Sequence, residues 1–341
     1  FWAQAASLKI FGLSEFSLRL PAWFATIGIV WLTWCLANHA RGAAVARWST
    51  LVLSTMALTY ISAGAVMTDT FLVFGTTLSL VSMWFVLSGR SDYWRWWFFV
   101  GLAIGLLSKG PLAVVLTVTP LVLWAAIFRQ QLQPLKKLPW LLGSLLTLAI
   151  AVPWYVLAEL KTPGFLNYFI IGEHFSRFLD PGWAGDLYGS AHDRPKGMIW
   201  IFWIWASFPW GIIGLVGFGL AAARGKTKDI FTGAVQDAST LYLLFCAITP
   251  MLFFTLAGNT LWTYILPSLP FSAILIAGWV SKLDLGAWSR VRSGAVLLVP
   301  VLITLVVFIS VSGVIPLKTE KQLISRYESI HQAGDSPIFY I

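Results

Sequence analysis

Apolar residues in this chain come in long unbroken runs, without period-two alternation, and polar breaks separate the runs. Runs approaching the roughly 20 residues needed to cross about 30 Å of hydrocarbon predict membrane-spanning helices rather than barrel strands. Ten spans are predicted, at roughly 19–39, 48–66, 70–88, 95–108, 111–128, 138–158, 198–222, 239–257, 261–280 and 293–316. Turn signals fall between them: Arg41-Gly42, Ser88-Gly89-Arg90, Lys109-Gly110-Pro111 and Gly258-Asn259. The expectation is an all-α polytopic membrane protein with about ten transmembrane helices.

One polar break is much longer than the rest. Residues 158–197 read AELKTPGFLNYFIIGEHFSRFLDPGWAGDLYGSAHDRPKG. A connector between two helices needs only a few residues, and a long loop on such a scaffold usually carries function. Its aromatic and glycine content favours an ordered loop. Upstream, Phe1, Ala5, Leu8 and Phe11 fall on one helical face before Gly12, which predicts an amphipathic helix over 1–17, lying in the outer interface.

Composition sharpens the class. The 341 residues are 58% hydrophobic and 11% charged, against roughly 25% charged in soluble domains. Cys35 and Cys246 both lie in apolar runs and suggest neither a disulfide framework nor a metal knuckle. The net charge of +9 sorts by side. Under strict alternation of ten spans, one set of loops holds Arg41, Arg47, Arg90, Arg95, Arg129, Lys136, Lys137, Arg224, Lys226, Lys228, Lys282, Arg290 and Arg292. Only four acids, Asp92, Asp229, Asp237 and Asp284, accompany them. The other set balances. The positive-inside rule makes the first set cytoplasmic, so the charge excess reports topology and not nucleic-acid binding.

That topology gathers polar residues from separate helices at the outer face. Asp69 starts the third span, Lys109 ends the fourth, Glu173, His174 and Arg177 lie in the long loop, and Tyr264 starts the ninth. Each has a plain structural alternative. Asp69 suits a helix N-cap as well as a proton acceptor or cation ligand. Lys109 suits a helix C-terminus as well as a point charge for phosphate. Arg177 suits a salt bridge with Glu173, while its fork also matches phosphate oxygens. His174 lacks further ligands of metal-site spacing, and Tyr264 suits an interfacial aromatic belt.

The segments FWAQAASLKIFGLSEFSLRLP, MTDTFL, LSKGP, PWYVLAELKTPGFLNYFIIGEHFSRFL, GWAGDLYGSAHDRPKGMIW and WTYILPSLP resemble the GT-C type, polyprenyl-phosphate-sugar-dependent membrane glycosyltransferases. Aminoarabinose lipid A transferases and protein O-mannosyltransferases are the nearest look-alikes. The resemblance implies a GT-C-like helical bundle, comprising a transmembrane domain over 18–316 with the outer loop 158–197 and the start of a C-terminal outer domain over 317–341. Chain ends at Phe1-Trp2 and Ser-Pro-Ile-Phe-Tyr-Ile suggest a piece of a longer protein. The piece is expected to lack a first helix and an acid-Lys-Pro-Pro motif of the first outer loop.

The resemblance also implies a site. Lys109, Arg177 and Tyr264 are expected to bind the donor phosphate, and Asp69, Glu173 and His174 to serve catalysis. Some relatives bind a divalent metal near such groups, and the metal site here is unassigned. The implied partners are a polyprenyl-phosphate sugar donor, a lipid A, glycan or protein acceptor, and membrane lipids. The implied location is a bacterial inner membrane with the site facing the periplasm. The rival readings are a lipid or solute transporter and a non-catalytic scaffold. A transporter predicts charges near the midplane and paired broken helices, and the predicted spans carry almost no charge at mid-depth.

Overall fold

The structure is a computed structural model that describes residues 2–281, apart from 91, 184, 186–191, 193 and 226 and the side chain of 230. The expected tenth span at 293–316, the segment 317–341, and Asp186 and Asp193 of the long loop lie outside the described residues. Among those described, every regular element is a helix: α1 (Trp2–Phe11), α2 (Glu15–Arg41), α3 (Ala43–Ser54), α4 (Ala57–Ala63), α5 (Asp69–Leu87), α6 (Trp94–Lys109) and α7 (Leu112–Ile127). Two short 3₁₀ turns, Arg129–Gln131 and Gln133–Lys137, lead to α8 (Trp140–Lys161). A π-helical segment, Asn167–Ser176, runs into the single turn α9 (Arg177–Leu179). Then follow α10 (Met198–Ala206), α11 (Trp210–Ala223), α12 (Thr227–Gln236), α13 (Ala238–Thr255), a 3₁₀ segment Trp262–Ser268, and α14 (Leu269–Val280).

The first nine predicted spans all coincide with helices, but not every span is one long helix. Five are long and apolar enough to cross a membrane, or up to seven if each sharply bent pair counts as one. The count of about ten is therefore higher than the described helices support. Two of the apolar runs are broken. One breaks at Thr55–Met56, between α3 and α4, and the other at Ser207–Pro209, between α10 and α11, which are bent by 109°. The two breaks satisfy each other. The Ala57 N–H donates to the Phe208 carbonyl at 3.0 Å, and the Trp210 indole N–H donates to Thr55 Oγ1 at 2.7 Å. Backbone freed from a helix at membrane depth needs such partners, because lipid offers none.

At the start of the chain, Gly12 takes φ +77° and ends α1. Ser14 and Ser17 then form a reciprocal capping box that opens α2, each hydroxyl accepting the other's N–H at 3.1 Å. Helix α1 packs Gln4 and Ser7 inward and turns Ala5 and Phe11 outward.

Among the five long spans α5 is the most deeply buried. It meets α6 across glycines. A Cβ on Gly101 would sit 2.6 Å from the Gly75 carbonyl oxygen, and one on Gly75 would sit 2.7 Å from that of Gly101. Small residues let two backbones approach this closely, the usual route to tight helix contact in lipid. Ser79 Oγ adds a hydrogen bond to the Phe98 carbonyl at 2.9 Å. Because α5 and α6 are antiparallel neighbours, the N-terminus of α5 and the C-terminus of α6 end beside each other. That places Asp69 next to Lys109.

At the opposite end, Arg41 closes α2 against Asp237, with 2.7 Å between Nη1 and Oδ2. The Trp124 indole donates to the Ala238 carbonyl at 2.8 Å. Burial works against ionisation of Asp237, but hydrogen bonds from Thr240 and Ser239 and the Arg41 guanidinium outweigh it and hold the carboxyl at about 2. All of these contacts join elements whose loops belong to the basic set.

Candidate active site

Helix α5 starts at Asp69. The N-cap is Thr68, which makes no side-chain capping bond, so Asp69 is the first helical residue and not the cap. Its carboxylate instead reaches across to Lys109, the last residue of α6, with 3.2 Å between Oδ1 and Nζ. The two side chains are only 12% and 26% exposed, so the pair is partly withdrawn from water. The Lys109 ammonium also lies 5.3 Å from the Tyr264 ring centroid. Tyr264 sits on the 3₁₀ segment that opens the last described span. Asp69, Lys109, Glu173 and Arg177 all lie within electrostatic reach of its phenol.

The long loop meets the end of α6 through a π-helically wound segment. In a π-turn the residue five positions on comes into register, and two pairs use that register. The Tyr168 hydroxyl donates to Glu173 Oε1 at 2.6 Å, and His174 Nδ1 lies 2.7 Å from the Phe169 carbonyl oxygen. The second oxygen of Glu173 accepts from Arg177 Nη1 at 2.8 Å. His174 Nε2 reaches the Lys109 carbonyl at 2.8 Å, which ties the loop to the end of α6. Gly110 makes this docking possible. It takes φ +56°, and a Cβ there would stand 2.8 Å from the Phe169 ring and 3.0 Å from the His174 ring. Lys109-Gly110-Pro111 is therefore both a helix stop and a landing surface for the loop.

All six residues singled out from the sequence thus lie in one region. His174 reaches α6, while Arg177 pairs with Glu173 four residues back. Two further residues have no chemical signal in the sequence: Tyr168, which shares Glu173 with Arg177, and Asn259, which sits in the expected turn before Tyr264. Among the described residues no group of three or more His, Cys, Asp or Glu side chains is placed to hold a metal ion. Asp69 and Glu173 are each already paired with a cation, and His174 contacts two carbonyl oxygens. These residues do not form a metal-binding set.

This all-α bundle, with its clustered acid, lysine, arginine and phenol, is similar to proteins described as mannosyl and arabinosyl transferases. Residues 1–169 match the family described as dolichyl-phosphate-mannose-protein mannosyltransferase. The chain is 29% identical over 306 residues to undecaprenyl phosphate-alpha-4-amino-4-deoxy-L-arabinose arabinosyl transferase 1 of Pseudomonas fluorescens, covering 86% of this chain and 48% of the relative. It is 28% identical over 291 residues to the corresponding transferase of Edwardsiella ictaluri, covering 83% and 49%. The chain spans about half the length of the curated relatives it matches. The crystal structure of ArnT from Cupriavidus metallidurans bound to undecaprenyl phosphate superposes with a TM-score of 0.72 at 21% identity, over 93% of this chain and 55% of that one. The fold resembles the part of ArnT that the chain covers, and the sequence is similar to those of the aminoarabinose transferases.

Proposed function

We propose that this chain carries the membrane domain of a glycosyltransferase. It would move a sugar from a polyprenyl-phosphate donor to a lipid A, glycan or protein acceptor at the periplasmic face of a bacterial inner membrane. In this reading residues 1–17 are the outer-face juxtamembrane segment, whose helix is α1, 18–316 the GT-C-like domain, and 317–341 the start of a C-terminal outer domain. One observation supports this reading above the others: Lys109, Arg177 and the Tyr264 phenol converge from three separate elements, each cation beside a carboxylate.

The chemistry follows from the charges. An acceptor oxygen attacks the anomeric carbon from the face opposite the lipid phosphate. The new C–O bond forms as the bond to the phosphate oxygen breaks, with inversion. The lipid phosphate leaves with that electron pair and gains a negative charge. Lys109, Arg177 and the Tyr264 hydroxyl stabilise it, since fixed donors aimed at developing charge lower the barrier most. A carboxylate takes the acceptor proton, and Asp69 is the candidate. Glu173 holds Arg177 in place together with Tyr168, and His174 anchors the loop beside Lys109. No step is assigned to a divalent metal, because the described donors do not form a set for one.

The direct test is binding of undecaprenyl phosphate to the purified, detergent-solubilised chain, followed by quenching of its tryptophan fluorescence. Saturable binding that undecaprenol without the phosphate does not reproduce is expected. Equal binding of the two lipids would refute a phosphate site.

The sidedness has its own test. Lys196→Cys, in the long loop, is expected to react with an impermeant maleimide added to intact spheroplasts. Lys228→Cys, on α12, is expected to react only after permeabilisation. Both native side chains are exposed, so accessibility alone does not separate them. Labelling of the α12 site from outside, with the loop protected, would invert the topology.

A further inference from the structure

We propose that Asn259 is a positioning residue that sets the spacing between Arg177 and Tyr264, and that donor-phosphate recognition depends on it. The inference rests on the glycosyltransferase reading above and extends it to a residue that touches no substrate.

Asn259 is 4% exposed and lies between α13 and the 3₁₀ segment carrying Tyr264. Its carboxamide is fully used by the long loop. Nδ2–H donates to the Arg177 carbonyl at 2.8 Å and to the Asp180 carbonyl at 2.8 Å. Oδ1 accepts the His192 backbone N–H at 2.8 Å. The orientation of the amide follows from these partners, since two carbonyls need a donor and one N–H needs an acceptor. The adjoining backbone continues the junction. Gly258 N–H donates to the Phe178 carbonyl at 2.7 Å, and Thr260 N–H to the His192 carbonyl at 3.1 Å. At Gly258 a Cβ would sit 2.8 Å from the Pro181 nitrogen.

One side chain therefore grips both ends of the loop's second half, at 177–180 and at 192. It does so five residues before Tyr264, on a segment whose own path leads to the phenol. Arg177 is held at its guanidinium by Glu173 and at its carbonyl by Asn259. A two-point hold of this kind fixes where a cation stands relative to a second donor. An error of about 1 Å in such spacing costs roughly a hundredfold in rate when two groups must meet one phosphate. Gln would be too long for this geometry. Asp retains the acceptor but faces two carbonyl oxygens with no N–H.

The test uses the full chain in detergent, with undecaprenyl phosphate as the probe. Asn259→Asp and Asn259→Ala are expected to weaken binding about tenfold or more while the thermal melt still shows a folded protein. Gly258→Ala, which pushes on the same junction from its backbone, is expected to weaken binding in the same way. The deciding measurement is the double variant. If Asn259 acts by placing Arg177, Asn259→Ala costs little further binding in an Arg177→Ala background. If Asn259 supports only general stability, its cost is undiminished there, and the positioning role is overturned. Wild-type affinity in both Asn259 variants, with binding lost in Arg177→Ala, would also reject it while leaving the phosphate site intact. Undiminished binding in Arg177→Ala itself would instead strike at the underlying functional reading.

Discussion

Arg177→Ala in the full chain is expected to reduce affinity for undecaprenyl phosphate by roughly 10- to 150-fold. The figure comes from losing a charge-assisted hydrogen bond, worth about 1.5–3 kcal/mol, with about 1.4 kcal/mol per decade. Folding should survive, because Glu173 keeps its hydrogen bond from Tyr168 at 2.6 Å and is 19% exposed. Arg177→Lys is expected to fall between, since an ammonium keeps the charge but loses the planar fork. Lys109 needs a different design. Its removal strands Asp69, which is 12% exposed, and an unpaired acid in that setting would cost stability by itself. The double substitution Lys109→Ala with Asp69→Asn removes both charges of the pair and isolates the loss of the cation. Binding titrations with the lipid phosphate, alongside thermal melts, decide the matter. Affinity unchanged in Arg177→Ala and in the double variant would remove both residues from the phosphate site.

Much of this site was legible in the sequence because membrane topology is read from quantities that a sequence displays. Apolar runs give the spans, loop cations give the sides, and the two together put Asp69, Lys109, the long loop and Tyr264 at one face. The structure then adds contact. Asp69 meets Lys109 because Gly75, Gly101 and Gly105 let α5 and α6 close up, a consequence of small residues that the charge pattern does not carry. The helix breaks were not legible. Residues 48–63 and 198–222 read as almost continuous apolar runs, and their breaks are stabilised by hydrogen bonds between two segments about 150 residues apart in sequence, from Ala57 to Phe208 and from Trp210 to Thr55. No local pattern encodes a partner that distant.

The π-helix was equally hidden. Residues 167–176 carry no glycine or proline signal that separates a π-turn from an α-turn, beyond Gly172. The winding shows only in which side chains meet: Tyr168 with Glu173, and His174 with the Phe169 carbonyl. Asn259 was visible as a turn residue, and turn residues usually bond their own neighbours. Here the amide instead serves a loop roughly 80 residues upstream in the chain. Its place in a turn five residues before Tyr264 is a positional hint only, and its burial and its partners show in the structure alone.

Asp69→Asn is expected to reduce turnover by about 10²- to 10⁴-fold, the usual share of a general base, with little change in thermal stability. Thr68 and not Asp69 is the cap of α5, and Asn fills nearly the same space, so the substitution removes charge and basicity with little change of shape. It also releases Lys109 from its 3.2 Å partner. That release separates two roles by their kinetics. If Asp69 takes the acceptor proton, kcat falls while donor KM stays level or drops, because a freed Lys109 meets the phosphate without a competing carboxylate. If Asp69 serves only to steer Lys109, donor KM rises and kcat holds. The measurement is sugar transfer by the full chain over a range of donor concentrations, with the melt recorded on the same preparation. A variant with wild-type kcat would take the base role from Asp69, and the proton would then have to pass to another carboxylate or to solvent.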